Sequence, residues 1–153
     1  YTVGDQQLND VHLDVRHSVP GCTSREQFRG VLYGKGRAVF DGRILVEKQA
    51  QRSDAVLTND NLVLCRDAEI DTKPQLEIHA DDVSCSHGTT VGQLDPQQLF
   101  YLRSRGIDLP AARNMLCLGF ANEILDTIDV PVLRELAAGR LANMIDNAMP
   151  DTE

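Results

Sequence analysis

The stretch Ile78-His79-Ala80-Asp81-Asp82-Val83-Ser84-Cys85-Ser86-His87-Gly88, followed closely by Asp95-Pro96-Gln97-Gln98, is where the pattern of the chain changes. Its first part alternates as a half-buried strand does. Its second part carries the signals of a helix start, with Asp95 as a cap and Pro96 at the first helical position. Side chains alternate faces in a strand, so Cys85 and His87 lie on one side, about 7 Å apart. A soft sulfur beside an imidazole is able to bind metal. A lone Cys-x-His is a weak motif, however, because metal sites show several ligands at short spacings and no second cluster accompanies this one. Two residues on a strand face is the plainer reading.

Upstream of this junction the apolar residues fall in short clusters: Val31 to Tyr33, Ala38 to Phe40, Ile44 to Val46, Ala55 to Leu57, Leu62 to Leu64, and Leu76 with Ile78. Each is too short for a helix. They are separated by Gly30, Gly34, Gly36, Gly42, Asn59-Asp60-Asn61 and Asp67, residue types that favour turns. Many short strands follow, in a sandwich, a barrel or a parallel β-helix. Hairpin signals are thin, with Asp41-Gly42 the clearest, and the clusters suit a narrow interior lined from several walls. Both features tilt the reading toward stacked coils.

Downstream, a first helix is capped by Asp95, with Gln98 closing a capping-box-like start, Arg103 and Arg105 near its end and Gly106 as its stop. A second begins after Asp108, with Ala112, Met115, Leu116, Phe120, Ile124 and Leu125 on one apolar face. A third starts near Asp129, has Pro131 in its first turn, and buries Leu133, Leu136, Leu141 and Met144. The tail from Asn147 is expected to fray. Residues 1–92 thus form a strand-rich part and 93–153 a helical part, a segregated arrangement of β and α structure.

The 153 residues suffice for one sizeable core or two small parts sharing a boundary. A formal charge of −8 and a pI near 4.9 argue against nucleic acid, which calls for a concentrated basic surface. No apolar run approaches the roughly 20 residues of a membrane helix, and no signal-peptide pattern opens the chain, so no membrane role and a cytoplasmic location are expected. The first residue is Tyr1 and extended structure begins at once, which suggests a piece of a longer protein. The four cysteines stand at 22, 65, 85 and 117 with no Cys-x-x-Cys. Neither a disulfide framework nor a zinc knuckle has this form, and most of them are expected to be small buried hydrophobes.

Other candidates read as ordinary structure. His12 and His17 are expected on a solvated polar face. Gly34-Lys35-Gly36-Arg37 lacks the spacing of a phosphate loop and reads as a β-turn. Asp81 and Asp82 are adjacent, face opposite ways in extended chain, and read as polar turn residues. No Gly-x-Ser-x-Gly elbow is present. The exposed faces of the last two helices are a candidate docking surface for another protein.

The run from Lys73 through Cys85-Ser86-His87-Gly88-Thr89-Thr90-Val91-Gly92 to Asp95, with Leu99 to Ile107 after it, resembles the SufB/SufD family of iron–sulfur cluster assembly proteins. Supporting matches are Cys22-Thr23-Ser24-Arg25-Glu26, Phe28 to Val31, Arg37 to Ile44, and Asn59 to Leu64. Cys85-Ser86-His87-Gly88 is the SufD-like form of this segment, where SufB-like chains tend to carry Glu-His-Glu. The resemblance implies a partial right-handed parallel β-helix followed by a small helical domain. It implies a scaffold without catalytic turnover, pairing with SufB through the β-helix and binding the ATPase SufC through the C-terminal helices. It places His87, with Cys85 beside it, at the SufB–SufD interface where a nascent cluster forms, His87 being a transient metal ligand. It implies no tightly bound cofactor, only a transient iron–sulfur cluster at that interface. Candidate contacts for SufC are Arg113, Met115 and Phe120. A β-helix with an open coil would also favour a homodimer.

Two rival readings stand beside this one. The first is a SufB-like, cluster-carrying subunit, which calls for more cysteine and acidic ligands near the junction. The second is a carbohydrate-active β-helix enzyme, which calls for clustered acids and exposed aromatics; the chain has no Trp and only seven Phe and Tyr residues.

Overall fold

The computed structural model describes residues 1–148. Seven strands precede three helices: β1 (Thr2–Val3), β2 (Leu8–His17), β3 (Thr23–Leu32), β4 (Arg37–Val46), β5 (Asp54–Val63), β6 (Glu69–Ile78), β7 (Ser84–Gly92), α1 (Pro96–Ser104), α2 (Leu109–Leu125) and α3 (Pro131–Ala148). Odd strands form one sheet in the order β1-β3-β5-β7, and even strands form the other in the order β2-β4-β6. Every pairing is parallel. Leu8 sits beside Arg37 and Arg37 beside Glu69, steps of 29 and 32 residues, so the chain visits both sheets once per coil. This is a β-solenoid of about three turns, as the stacked-coil reading expects.

Strand parity builds the interior. In β4, Ala38, Phe40, Ile44 and Val46 are fully buried, and in β5 so are Ala55 and Leu57. The short apolar clusters seen in sequence are therefore halves of single ten-residue strands. Asp41-Gly42 is no hairpin turn but lies in the middle of β4. A side chain at Gly42 would collide with the Phe40 ring and Leu57, both within 3 Å of where its Cβ would sit. Glycine there makes room for core packing. Asn59-Asp60-Asn61, which reads as turn chemistry, also lies within a strand, and Asn59 and Asn61 point inward, buried.

Histidine placement corrects one expectation. His12 is exposed beside Asp10, but His17 is only 3% exposed, with its Nε2 3.0 Å from Ser24 Oγ. His12 and His17 are an odd number of residues apart, so they must face opposite ways, and His17 joins Val11, Leu13 and Val15 on the interior side. The expected β-turn is present at Gly34-Lys35, where Gly36 N–H donates to Tyr33 C=O at 3.0 Å and the Asp5 carboxylate accepts from Lys35 N–H at 2.6 Å.

The helix starts follow their caps. Asp95 Oδ1 accepts from Gln97 N–H and Asp108 Oδ1 from Ala111 N–H, both at 2.8 Å, and Gly106 at φ 85° stands just after α1. Helix α2 lies on the outer face of the odd-strand sheet, where Val31 and Leu62 pack with Cys117, Ala121 and Ile145. Its buried stripe is Ala112, Cys117 and Ala121; Met115 is 51% exposed and so lies outside the expected apolar face. Helix α3 departs further. Leu133, Leu136 and Met144, expected to be buried, are all about half exposed, whereas Ile145 is buried. The apolar pattern of α3 is wider than the surface α2 and the sheet offer it, so among the described residues the covered side is that of Leu141 and Ile145. Of the tail expected to fray from Asn147, residues 149–153 lie outside the described residues. No helix among the described residues is long and apolar enough to cross a membrane.

Candidate functional site

The last coil ends in two edge strands, β6 in one sheet and β7 in the other. Edge strands leave a row of backbone N–H and C=O groups without ladder partners, a template for another chain. Cys85 pairs in register with Ala55 and His87 with Leu57. In a parallel pair, residues in register share a face, so Cys85 and His87 both belong to the interior column of the solenoid. Their partners one coil earlier are fully buried, whereas Cys85 is half-buried and His87 exposed, because no further coil among the described residues covers them.

Cys85 packs against the core group of Phe40, Ile44, Val46, Ala55, Leu57 and Ala80. Burial pushes its thiol above the ordinary range; the backbone of Ala55 works against that shift, while the charge of Asp54 adds a little to it. The thiol therefore stays protonated at neutral pH and must shed a proton before it binds metal. Among the described residues no group of three or more His, Cys, Asp or Glu side chains is placed to hold a metal ion. Cys85 and His87 thus offer two ligands at most. Asp81 and Asp82 lie in the bend between β6 and β7, as the turn reading expects.

Two side chains at this mouth escape sequence reading. Thr89, the next interior position after His87, lies 3.1 Å, oxygen to oxygen, from Thr72 of β6. It also donates to the backbone carbonyl of Asn59 at 2.9 Å. Parity with Cys85 and His87 could have flagged Thr89 but not Thr72, which lies on another strand, and isolated threonines in strands are too common to stand out.

The helical candidates are dispersed. Met115 projects into solvent and Arg113 is half-buried. Phe120 is half-buried in the joint between α2 and the sheet: the Arg29 guanidinium lies 4.8 Å over its ring, donates to the Phe120 carbonyl and pairs with Glu123. Further apolar exposure lies on Phe100, Tyr101, Val132, Leu133 and Leu136.

Comparison with known proteins identifies the family. Residues 1–120 match the family model described as SUF system FeS cluster assembly, SufBD core domain. The chain is 43% identical over 139 residues to the iron–sulfur cluster assembly protein SufD of Escherichia coli strain K12, covering 91% of this chain and 33% of that one. It is 40% identical over 140 residues to a SufBD family iron–sulfur cluster assembly protein of Synechocystis, covering 92% of this chain and 30% of that one. A SufBD family protein of Mycobacterium leprae is 37% identical over 161 aligned positions, covering all of this chain and 40% of that one. The chain spans about a third of the length of the curated relatives it matches. A β-solenoid with three helices after it, matched over most of its length by a family model and by these relatives, belongs to the SufBD family of iron–sulfur cluster assembly proteins and is of the SufD type.

Proposed function

We propose that this chain is a scaffold subunit of an iron–sulfur cluster assembly complex, that it pairs with a SufB-type paralogue through the open edges of β6 and β7, and that it has no catalytic turnover of its own. The observation that carries this reading is an open coil whose interior column offers Cys85 and His87, with no third ligand placed beside them among the described residues. Iron bound there needs ligands from elsewhere, and a paralogue with the same coil can supply both the missing strands and the missing donors. The cluster is cargo, assembled at the seam and passed on. His87 is the exposed donor of the pair; Cys85 binds only after deprotonation.

The helices receive a SufC-type ABC ATPase. Supporting this are Met115 and the apolar side chains of α1 and α3 that stand exposed among the described residues. Phe120 acts indirectly, since the Arg29 joint holds it against the sheet. Closure of the ATPase on nucleotide would pull on α2, and α2 is packed directly on β3 and β5 through Val31 and Leu62. A homodimer through the same edges is the second reading, favoured by the fact that unpaired parallel edges are available to any chain of equal geometry.

The test is co-purification with a SufB-type partner and a SufC-type ATPase, comparing wild type with His87→Ala. Complex formation is expected in both, with the visible absorbance of the cluster after anaerobic reconstitution only in wild type. Equal cluster yield would overturn the role of His87; failure of wild type to bind either partner would overturn the scaffold reading.

A further inference from the structure

The solenoid interior carries a polar chain that the apolar packing around it does not call for. The Tyr1 hydroxyl donates to Asn61 Oδ1 at 2.5 Å, and Asn61 Nδ2 donates to Asn59 Oδ1 at 2.8 Å. Asn59 Oδ1 also accepts from Thr72 at 2.8 Å, and Asn59 Nδ2 lies 3.3 Å from the Tyr1 hydroxyl. Thr72 and Thr89 then meet across the mouth at 3.1 Å. The chain thus runs from the first coil to the open one. Gly30 makes the passage: a Cβ there would lie 2.4 Å from Asn61 Oδ1 and 2.5 Å from the Tyr1 ring. Asn59 and Asn61 are no more than 2% exposed, a costly placement for two amides unless every polar group is satisfied.

The end of this chain has a feature of its own. Thr72 and Thr89 bring two hydroxyl protons to three contacts: Asn59 Oδ1, the Asn59 carbonyl, and each other. They must share those protons, so the two strands are tied by whichever pair of bonds forms. Thr89 follows His87 by two positions on the same face of β7, about 7 Å along the strand. Thr72 stands on β6, the opposite edge.

We propose that Thr72 and Thr89, anchored by Asn59, form a latch that fixes the two open edges relative to each other and so positions His87 for the site completed by the partner. The inference rests on the assembly-site reading of His87. Both hydroxyls act through His87 and the edges, not on the metal. Apolar residues at these positions would pack, but would take the hydroxyl donors from Asn59 Oδ1 and from the Asn59 backbone carbonyl, and with them the direct polar contact between the two edges.

The experiment uses the chain in complex with SufB-type and SufC-type partners, and the free chain alongside. Thr89→Val removes the hydroxyl at nearly constant shape and Thr89→Ser restores it. In the free chain, amide exchange over residues 84–92 is expected to quicken roughly fivefold to tenfold in Thr89→Val, the effect of about one hydrogen bond. In the complex, cluster absorbance is expected to fall several-fold, with Thr89→Ser returning both readouts to wild type. Wild-type exchange and yield in Thr89→Val, or failure of Thr89→Ser to rescue, would overturn the latch. If Thr89→Val does not fold, Thr72→Val severs the same bond from β6 and is judged by the same readouts. His87→Ala separates the two ideas: if it leaves cluster yield intact, the assembly-site reading falls, while faster exchange in Thr89→Val still supports the tie between the edges.

Discussion

The coil formed by β4 and β5 and the coil formed by β6 and β7 have the same strand geometry and consecutive registers, yet they do different things. Leu57 is fully buried in the first; His87, its partner in register, is exposed in the second. Ala55 is fully buried, and Cys85, beside it, only half so. In a solenoid, burial is supplied by the next coil, so one interior column is core along its length and exposed surface where the stacking stops. A His at the position of Leu57 would be a buried polar group in need of a partner; at the end of the column it stands exposed.

The comparison is broken most severely from the closed coil. Leu57→Ala is expected to lower unfolding free energy by about 2–5 kcal/mol in urea titration, whereas His87→Ala should stay within about 0.5 kcal/mol of wild type. Equal losses would mean that the open coil is also core, covered by something within the chain.

A middle-sized effect is expected at the joint of sheet and helices. Arg29→Ala removes a stacked, largely covered guanidinium that serves the Phe120 carbonyl and Glu123, and should cost about 1–2 kcal/mol. Glu123→Ala should cost less than about 0.5 kcal/mol, because that carboxylate is mostly in solvent. Exchange protection of α2 reports both. If the two variants weaken α2 alike, the ion pair and not the carbonyl bond and ring contact holds the joint.

A smaller effect is expected with pH. Burial pushes the Cys117 thiol up to about 12 from an ordinary 9.0, with Arg113 opposing the shift. A raised thiol pKa favours the neutral folded form, so this contribution is whole below about pH 9 and is lost as pH climbs toward 12. Thermal melts from pH 8 to 11 should therefore show a steeper alkaline loss in wild type than in Cys117→Ala. Parallel curves would separate Cys117 from the alkaline behaviour of the helical part.

Much of the architecture was legible because strand parity and capping are local. Asp95 and Asp108 each cap a helix through their own carboxylate, an interaction spanning two or three residues. The clustering of Val, Ile and Leu with little hairpin chemistry pointed toward stacked coils, and parity alone put Cys85 and His87 on one face. The misreadings share a different origin. Asn59-Asp60-Asn61 and Asp41-Gly42 have turn chemistry, yet lie inside strands because the neighbouring coils hold them extended. Leu133, Leu136 and Met144 have helical spacing, but whether such a stripe is covered depends on how much surface a neighbour presents.

The sequence by itself determined the order of elements, the caps, the switch from strands to helices and, through its resemblance, the family. Tertiary structure decided which residues of each interior column are buried, that His17 turns inward, that Phe120 belongs to the joint with Arg29, and that Thr72 meets Thr89 across the mouth. The reason is physical. Caps and alternation are fixed by bonds within a few residues of chain, whereas burial and cross-coil contacts depend on stacking and arching that bring together residues such as Thr72 and Thr89, 17 positions apart, and Arg29 and Phe120, 91 apart.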